Sequence, residues 1–172
     1  MNSTRFTALT TMILAAAATR LVPHPPNFTP IAAIALFSGA QFSDKRVALF
    51  VPLIAMFLSD LVLGLHGLVP VVYGCFALIV CLGFWLRSQR SVKRVAVAIL
   101  AASVLFFIVT NFGVWAFTDM YPKTVDGLAA CYIAAIPFFK NTLTGDLCYA
   151  AVLFGGLALA ESCFPQLRPA AA

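Results

Sequence analysis

The sequence predicts an all-α membrane protein, a six-transmembrane-helix bundle with its N- and C-termini cytoplasmic, and three observations predict it. Hydrophobic residues make up 62% of the 172 and charged residues only 10%, against roughly 45–50% and about 25% in a soluble domain. The mean hydropathy is +0.99. Apolar runs near spanning length recur along the whole chain, with basic residues between them. This pattern excludes a soluble enzyme, a disordered tail and a secreted disulfide scaffold. A formal charge of +5 would suggest nucleic acid in a soluble chain. Here the cations sit between apolar runs and read as topology signals, with no nucleic-acid partner.

The elements follow in order. The first apolar run covers about Phe6 to Val22, and the second, after a proline cluster, about Pro30 to Phe42. The third runs from Val47 to Leu65, the fourth from Leu68 to Leu86 and the fifth from Val95 to Phe117. A short apolar piece, Leu128 to Phe139, reads as an outer helix ended by Pro137-Phe138-Phe139-Lys140. It is too short to cross at about 1.5 Å per residue. The last run covers Thr142 to Cys163. Six spans consume about 120 residues, which leaves no room for a soluble domain. Residues 1–172 therefore form a single integral membrane domain, and energy coupling comes from another chain or is absent. Arg5 followed by an apolar stretch and Ala15–Ala18 also has the outline of a signal peptide. The following Arg20-Leu21-Val22 and the proline cluster read instead as the end of a retained helix.

Sidedness follows from charge. With six spans, Arg5, Lys45, Arg46, Arg87, Arg90, Lys93, Arg94 and Arg168 share one side, and Arg20, Lys123 and Lys140 share the other. An excess of Lys and Arg marks the cytoplasmic side. The tract Ala15–Ala18 and the pair Ala35/Gly39 are small enough for close helix approach. They serve either internal packing or a partner helix.

The basic connections are otherwise plain and read as membrane-surface anchors. The outer ends carry a mixed set of aromatics, amides, acids and imidazoles, the composition of a small-molecule pocket. In Pro23-His24-Pro25-Pro26-Asn27-Phe28-Thr29-Pro30 four prolines forbid helix and stiffen the chain. The segment either joins two helices or holds His24, Asn27 and Phe28 over a site. Asp60 and Asp146 each lie about one turn inside an apolar run, where an acid is costly and faces an interior. Each binds a polar ligand group or pairs with an outer cation such as Arg20 or Lys140. Asn111 and Trp115 are four residues apart and share a helix face. They line a pocket rim, or act as interhelical glue and interfacial anchor. Asn141 joins the outer set.

Five cysteines, Cys75, Cys81, Cys131, Cys148 and Cys163, show no zinc spacing. Most read as small apolar fillers. Cys75 lies about two turns inside the fourth run, beside Gly74 and two residues after Tyr73. His24 and His66 are too few to define a metal site.

The run R-L-V-P-H-P-P-N-F-T-P-I-A-A-I-A-L-F-S-G-A, then L-S-D-L-x-L-G, T-N-F-G-V-W and I-P-F-F-K-N-T-L-x-G-D, resembles a family of small bacterial membrane proteins of transport type. That family is similar to the substrate-binding S components of energy-coupling-factor (ECF) vitamin transporters. The resemblance covers nearly the whole chain and implies a multi-pass protein of the bacterial cytoplasmic membrane with a vitamin site near the outer face. Within that group the chain most resembles solitary cobalamin-transporting S-component-like proteins. The resemblance implies uptake of cobalamin as transported ligand, with no intrinsic cofactor. It makes Cys75 the ligand of the corrinoid cobalt, a soft donor suited to that metal, with His24, Asp60 and Tyr73 nearby. It also implies that a shared ECF energising module docks at the helix bearing Ala15–Ala18. Uptake of another small vitamin or precursor is the alternative within this class. A membrane assembly or scaffold subunit is the alternative outside it. No H-E-x-x-H and no G-x-S-x-G occurs, so an intramembrane enzyme ranks last.

Overall fold

The computed structural model describes residues 1–169; Ala170–Ala172, part of the expected single domain, lie outside the described residues. The described chain is helical with no strand. The helices are α1 (Ser3–Ala18), α2 (Ile31–Gln41), α3 (Lys45–Leu63), α4 (Val69–Trp85), α5 (Val92–Phe117), α6 (Val125–Ala150) and α7 (Gly156–Cys163). A π-helical segment, Ala151–Gly155, joins α6 to α7.

Local chemistry sets most of the starts. Side chains of Asn2, Asp44, Ser91 and Thr124 accept hydrogen bonds from the first turns of α1, α3, α5 and α6, satisfying donors that have no intrahelical partner. Helix α3 stops at Gly64, whose φ of 99° is open to glycine and rarely adopted by other residues. Neither α2 nor α4 has a side-chain cap of its own in the preceding residue.

Helix α2 is the axis of the bundle. Ten of its eleven residues are buried, and it touches α1, α3, α4, α5 and α6. A helix apolar around its whole circumference belongs in such a position. Its closest neighbour is α4. A Cβ added to Gly39 would lie 2.2 Å from the Val80 carbonyl oxygen and 2.9 Å from Gly83 Cα. The two helices therefore meet backbone to backbone at a glycine pair. Tight apposition of small residues is the usual packing device of helices in an apolar solvent.

Three helices are long and apolar enough to cross a membrane: Lys45–Leu63, Val92–Phe117 and the continuous rod Val125–Cys163. Helices α2 and α4 are apolar but shorter. Large apolar side chains, among them Phe50, Val62, Ile108 and Val152, are half or more exposed on the outer surface.

The rod Val125–Cys163 corrects the sequence reading. Leu128–Phe139 is not a separate outer helix ended by Pro137-Phe138-Phe139-Lys140. It is the first part of a 39-residue helical rod that continues through the π segment. Pro137 lies inside α6. A proline removes one ladder hydrogen bond and costs about 3 kcal/mol in a free helix. Here packing of α6 along α5 and α2 holds the rod together, and membrane helices commonly tolerate proline. At about 1.5 Å per residue the rod is roughly 58 Å long.

The two ends of the bundle differ in chemistry. At one end Arg5 Nη2 and Arg90 Nη1 both donate to Gln41 Oε1, at 3.0 and 2.8 Å. There also Arg87 Nε donates to the Gly39 carbonyl at 2.9 Å. Asn2 Nδ2 donates to the Gln166 carbonyl at 2.9 Å, so the beginning and end of the described chain lie together at this basic end. The opposite end carries the proline loop, the α3–α4 turn and the α5–α6 connection.

Candidate functional site

At the proline-loop end, Arg20, just beyond α1, reaches α3. Its Nη1 lies 2.8 Å from Asp60 Oδ1 and donates to Ser59 Oγ. Tyr73 on α4 donates its hydroxyl to Asp60 Oδ2 at 2.6 Å. Asp60 is therefore paired with a cation, is 3% exposed, and receives a second donor from the neighbouring helix. This is the arrangement that makes an ion pair tolerable away from water. Arg20 Nε is buried and has no hydrogen-bond partner.

Asp146 on α6 meets neither Arg20 nor Lys140. Its Oδ1 accepts from the backbone N–H groups of Ala32 and Ala33 at 3.2 and 3.3 Å. Its Oδ2 accepts from Ser103 Oγ at 2.8 Å. Those two N–H groups are among the unpaired donors of the first turn of α2. A carboxylate 113 residues away in the chain thus supplies the cap that Pro30 cannot, and it sits at the positive end of the helix dipole.

The loop between α1 and α2 is fastened to α6. Asn141 Nδ2 donates to the Pro26 carbonyl at 2.9 Å. Phe28 packs on Tyr149 with ring centroids 6.0 Å apart. A Cβ on Gly145 would stand 3.2 Å from Phe28 Cα. Asn27 turns the loop in the left-handed region, φ 61°, which Asn visits more readily than most residues.

Beneath this loop lie two cavities. The first, about 220 Å³, is lined by Arg20, Asp60, His66, Asp146, Asn27 and Thr142, among others. The second, about 250 Å³, is lined by Phe107, Thr110, Asn111 and Phe139. Asn27, Val72, Phe106 and Thr142 border both, so the two form one cleft with a charged lobe and an aromatic lobe. In the aromatic lobe Phe107 and Phe139 lie 5.0 Å apart. Asn27 is exposed at the junction.

The structure brings together only part of the sequence-derived set. Asn27, Asp60, Asn111 and Asp146 line the cleft. Tyr73, Phe28 and Asn141 support it from behind. His24 is exposed, its Nδ1 2.6 Å from the Val22 carbonyl. Trp115 donates to the Pro122 carbonyl at 2.9 Å and orders the α5–α6 connection. Cys75 is 1% exposed within the apolar core and lines none of the cavities found beneath the loop. Its neighbour Gly74 faces open space. Among the described residues, no three His, Cys, Asp or Glu side chains converge to hold a metal. Several cleft residues escape sequence reasoning. Phe106, Phe107 and Thr110 carry no signal distinguishing them from lipid-facing neighbours, whereas Thr142 lies in the I-P-F-F-K-N-T run that the sequence marks. Val72 is one apolar residue among many.

The arrangement suits a small solute with a hydrogen-bonding or charged end and a flatter apolar part. The chain belongs to a family of unknown function, DUF6580, which it matches over residues 1–167. No curated protein and no solved structure matches it.

Proposed function

We propose that this family member is a six-span protein of the bacterial cytoplasmic membrane that binds a small vitamin or vitamin precursor at its outer end and carries it inward. The observation that carries the reading is the two-lobed cleft beneath the proline loop, with the Arg20–Asp60 pair in one lobe and a phenylalanine pair in the other. Mixed polar and aromatic walls on several elements are what small-molecule recognition needs. The eight-to-three division of Lys and Arg between the two ends supports cytoplasmic termini and an outward cleft. The resemblance to ECF S components supports the same sidedness, and transport as the activity.

Cleft size favours a solute smaller than a corrinoid. Each lobe is below the roughly 300–1,000 Å³ of typical ligand pockets, and only their combination reaches that range. The narrower reading, cobalamin with Cys75 on cobalt, requires α4 to expose a thiol that is now core. Carriage inward requires an energising partner or a downhill gradient. Ala15 and Ala18 are exposed on α1 while Ala16 and Ala17 face the core, so the outward half of that tract is the partner-facing candidate.

The test is retention and uptake. Protein purified from cells given a mixture of vitamins is denatured, and the released solutes are identified by mass spectrometry. Uptake of the identified solute is then followed in cells with and without the gene. A bound solute whose uptake depends on the gene supports the reading. An empty protein, and uptake indifferent to the gene, rejects it.

A further inference from the structure

The basic end holds a larger cavity, about 520 Å³, at the opposite end of the bundle from the cleft. Arg5, Arg87, Arg90 and Arg168 line it together with Gln41. Among the described residues one carboxylate answers them directly: Glu161 lies 2.5 Å from Arg5 Nη1. Burial lowers the pKa of Arg87, and nearby Asp44 opposes that shift. A guanidinium keeps its charge at physiological pH regardless. Arg5 is 3% exposed, and its donors are occupied by Glu161, the Leu167 carbonyl and Gln41. Arg87 gives Nε to the Gly39 carbonyl and Nη1 to the Ser43 carbonyl. Its Nη2 is buried with no partner. That atom is sealed from the cavity, and the guanidinium lies over the Phe84 ring, 4.2 Å from its centroid. Arg90 is exposed and gives only Nη1, to Gln41, so the cavity is a surplus of positive charge with Arg90 donors to spare.

Arg90 also borders a second, apolar space. A groove of about 430 Å³ runs between α5 and the rod Val125–Cys163, lined by Val95, Ala96, Ile99, Phe154, Gly155 and Ala158, among others. The π segment Ala151–Gly155 borders it, and such a segment locally widens the helix. From Leu147 to Ala158 the wall extends roughly 16 Å. A guanidinium cavity and a long apolar groove that share Arg90 as a wall match a molecule with an anionic head and a hydrocarbon tail.

We propose that this is a binding site for one anionic phospholipid, its phosphate at Arg90 in the positive field of Arg5, Arg87 and Arg168, and one acyl chain in the groove between α5 and the rod. The charge complementarity is that of basic pockets that hold lipid head groups at membrane surfaces. The site rests on the bundle lying in a membrane, not on solute carriage, so the uptake experiment and this one fail separately.

The purified protein in mild detergent is titrated with phosphatidylglycerol or phosphatidylcholine of identical chains and read by native mass spectrometry. Inorganic phosphate is the competitor that separates a lipid from a free anion. One phosphatidylglycerol is expected to bind at least tenfold more tightly than phosphatidylcholine, undisturbed by millimolar phosphate. Arg90→Gln is expected to lower that preference about fivefold, as each basic residue near an anionic surface contributes roughly 1 kcal/mol. Gly155→Leu fills the groove, since a Cβ there meets nothing within 4 Å. It is expected to weaken both lipids while leaving the thermal midpoint unchanged. Ala96→Phe repeats the test from the α5 side. Lys140→Gln, at the other end, should change nothing. Equal binding of the two lipids overturns the proposal. So does displacement by phosphate, and so does indifference to both groove-filling variants.

Discussion

Asp146 carries more of this fold than its position in the sequence suggests. Its two oxygens hold three donors, two of them backbone groups at the start of the central helix. Asp146→Ala leaves those donors without their acceptor, a loss on the order of 2–4 kcal/mol from the cap and the buried groups together. The thermal midpoint in detergent should fall, while Asp146→Asn, which still presents an acceptor, should fall less. Arg20 and Asp60 make a different prediction. Either Arg20→Met or Asp60→Leu alone leaves one buried charge unpaired, at about 3–5 kcal/mol. The double variant should be more stable than either single one, and a denaturation series on the four proteins reads the coupling. These roles are half legible in the sequence. An acid in an apolar run announces a partner, and Arg20 is a candidate for Asp60. The partner of Asp146 is not legible, because it is backbone exposed by a helix start more than a hundred residues earlier. The neighbours of Cys75 point toward a site that the structure does not place there. Gly74 faces outward and Tyr73 reaches Asp60, while the thiol beside them packs inward.

Elements are legible where the chain is long and apolar, and less so where a proline interrupts it. The helices at 45–63, 69–85 and 92–117 lie within two or three residues of the apolar runs. Pro137 reads as a stop because its local cost is real. Local cost is outweighed when a rod of 39 residues is packed along its length. The glycine pair between α2 and α4 is half legible, since Gly39 stands out by its spacing from Ala35 and Gly83 does not. Gly39→Val sets a side chain against the Val80 carbonyl, 2.2 Å from where its Cβ must stand. Overpacking costs typically 1–3 kcal/mol where side chains can yield, and backbone yields less. The expected outcome is loss of folded protein on size exclusion in detergent. Gly74→Ala is the matched control, because its Cβ meets open space; it should elute and melt like the parent.

At the scale of the molecule, function depends on which end faces out. The contacts fix that the beginning and end of the described chain share the basic end, and that the cleft lies at the other. The bias of Lys and Arg toward the inner side in membrane proteins predicts that the basic end faces the cytoplasm, and two thiols can report the outcome. Cys163 is exposed where α7 closes at the basic end, beside the segment that holds Arg5. Gly67 is exposed in the α3–α4 turn at the cleft end, where an added Cβ would meet nothing within 4 Å, so Gly67→Cys should fold normally. Cys75 and Cys131 are buried. Thiols facing lipid react slowly because a thiolate does not form readily in an apolar medium. A membrane-impermeant maleimide added to intact cells should therefore label the Gly67→Cys protein and spare the parent. Inside-out vesicles should reverse this, labelling the parent at Cys163 and gaining nothing from Gly67→Cys. The opposite pattern would turn the cleft toward the cytoplasm. The same side chains would then describe a site loaded from within, and the proposal of uptake would fail.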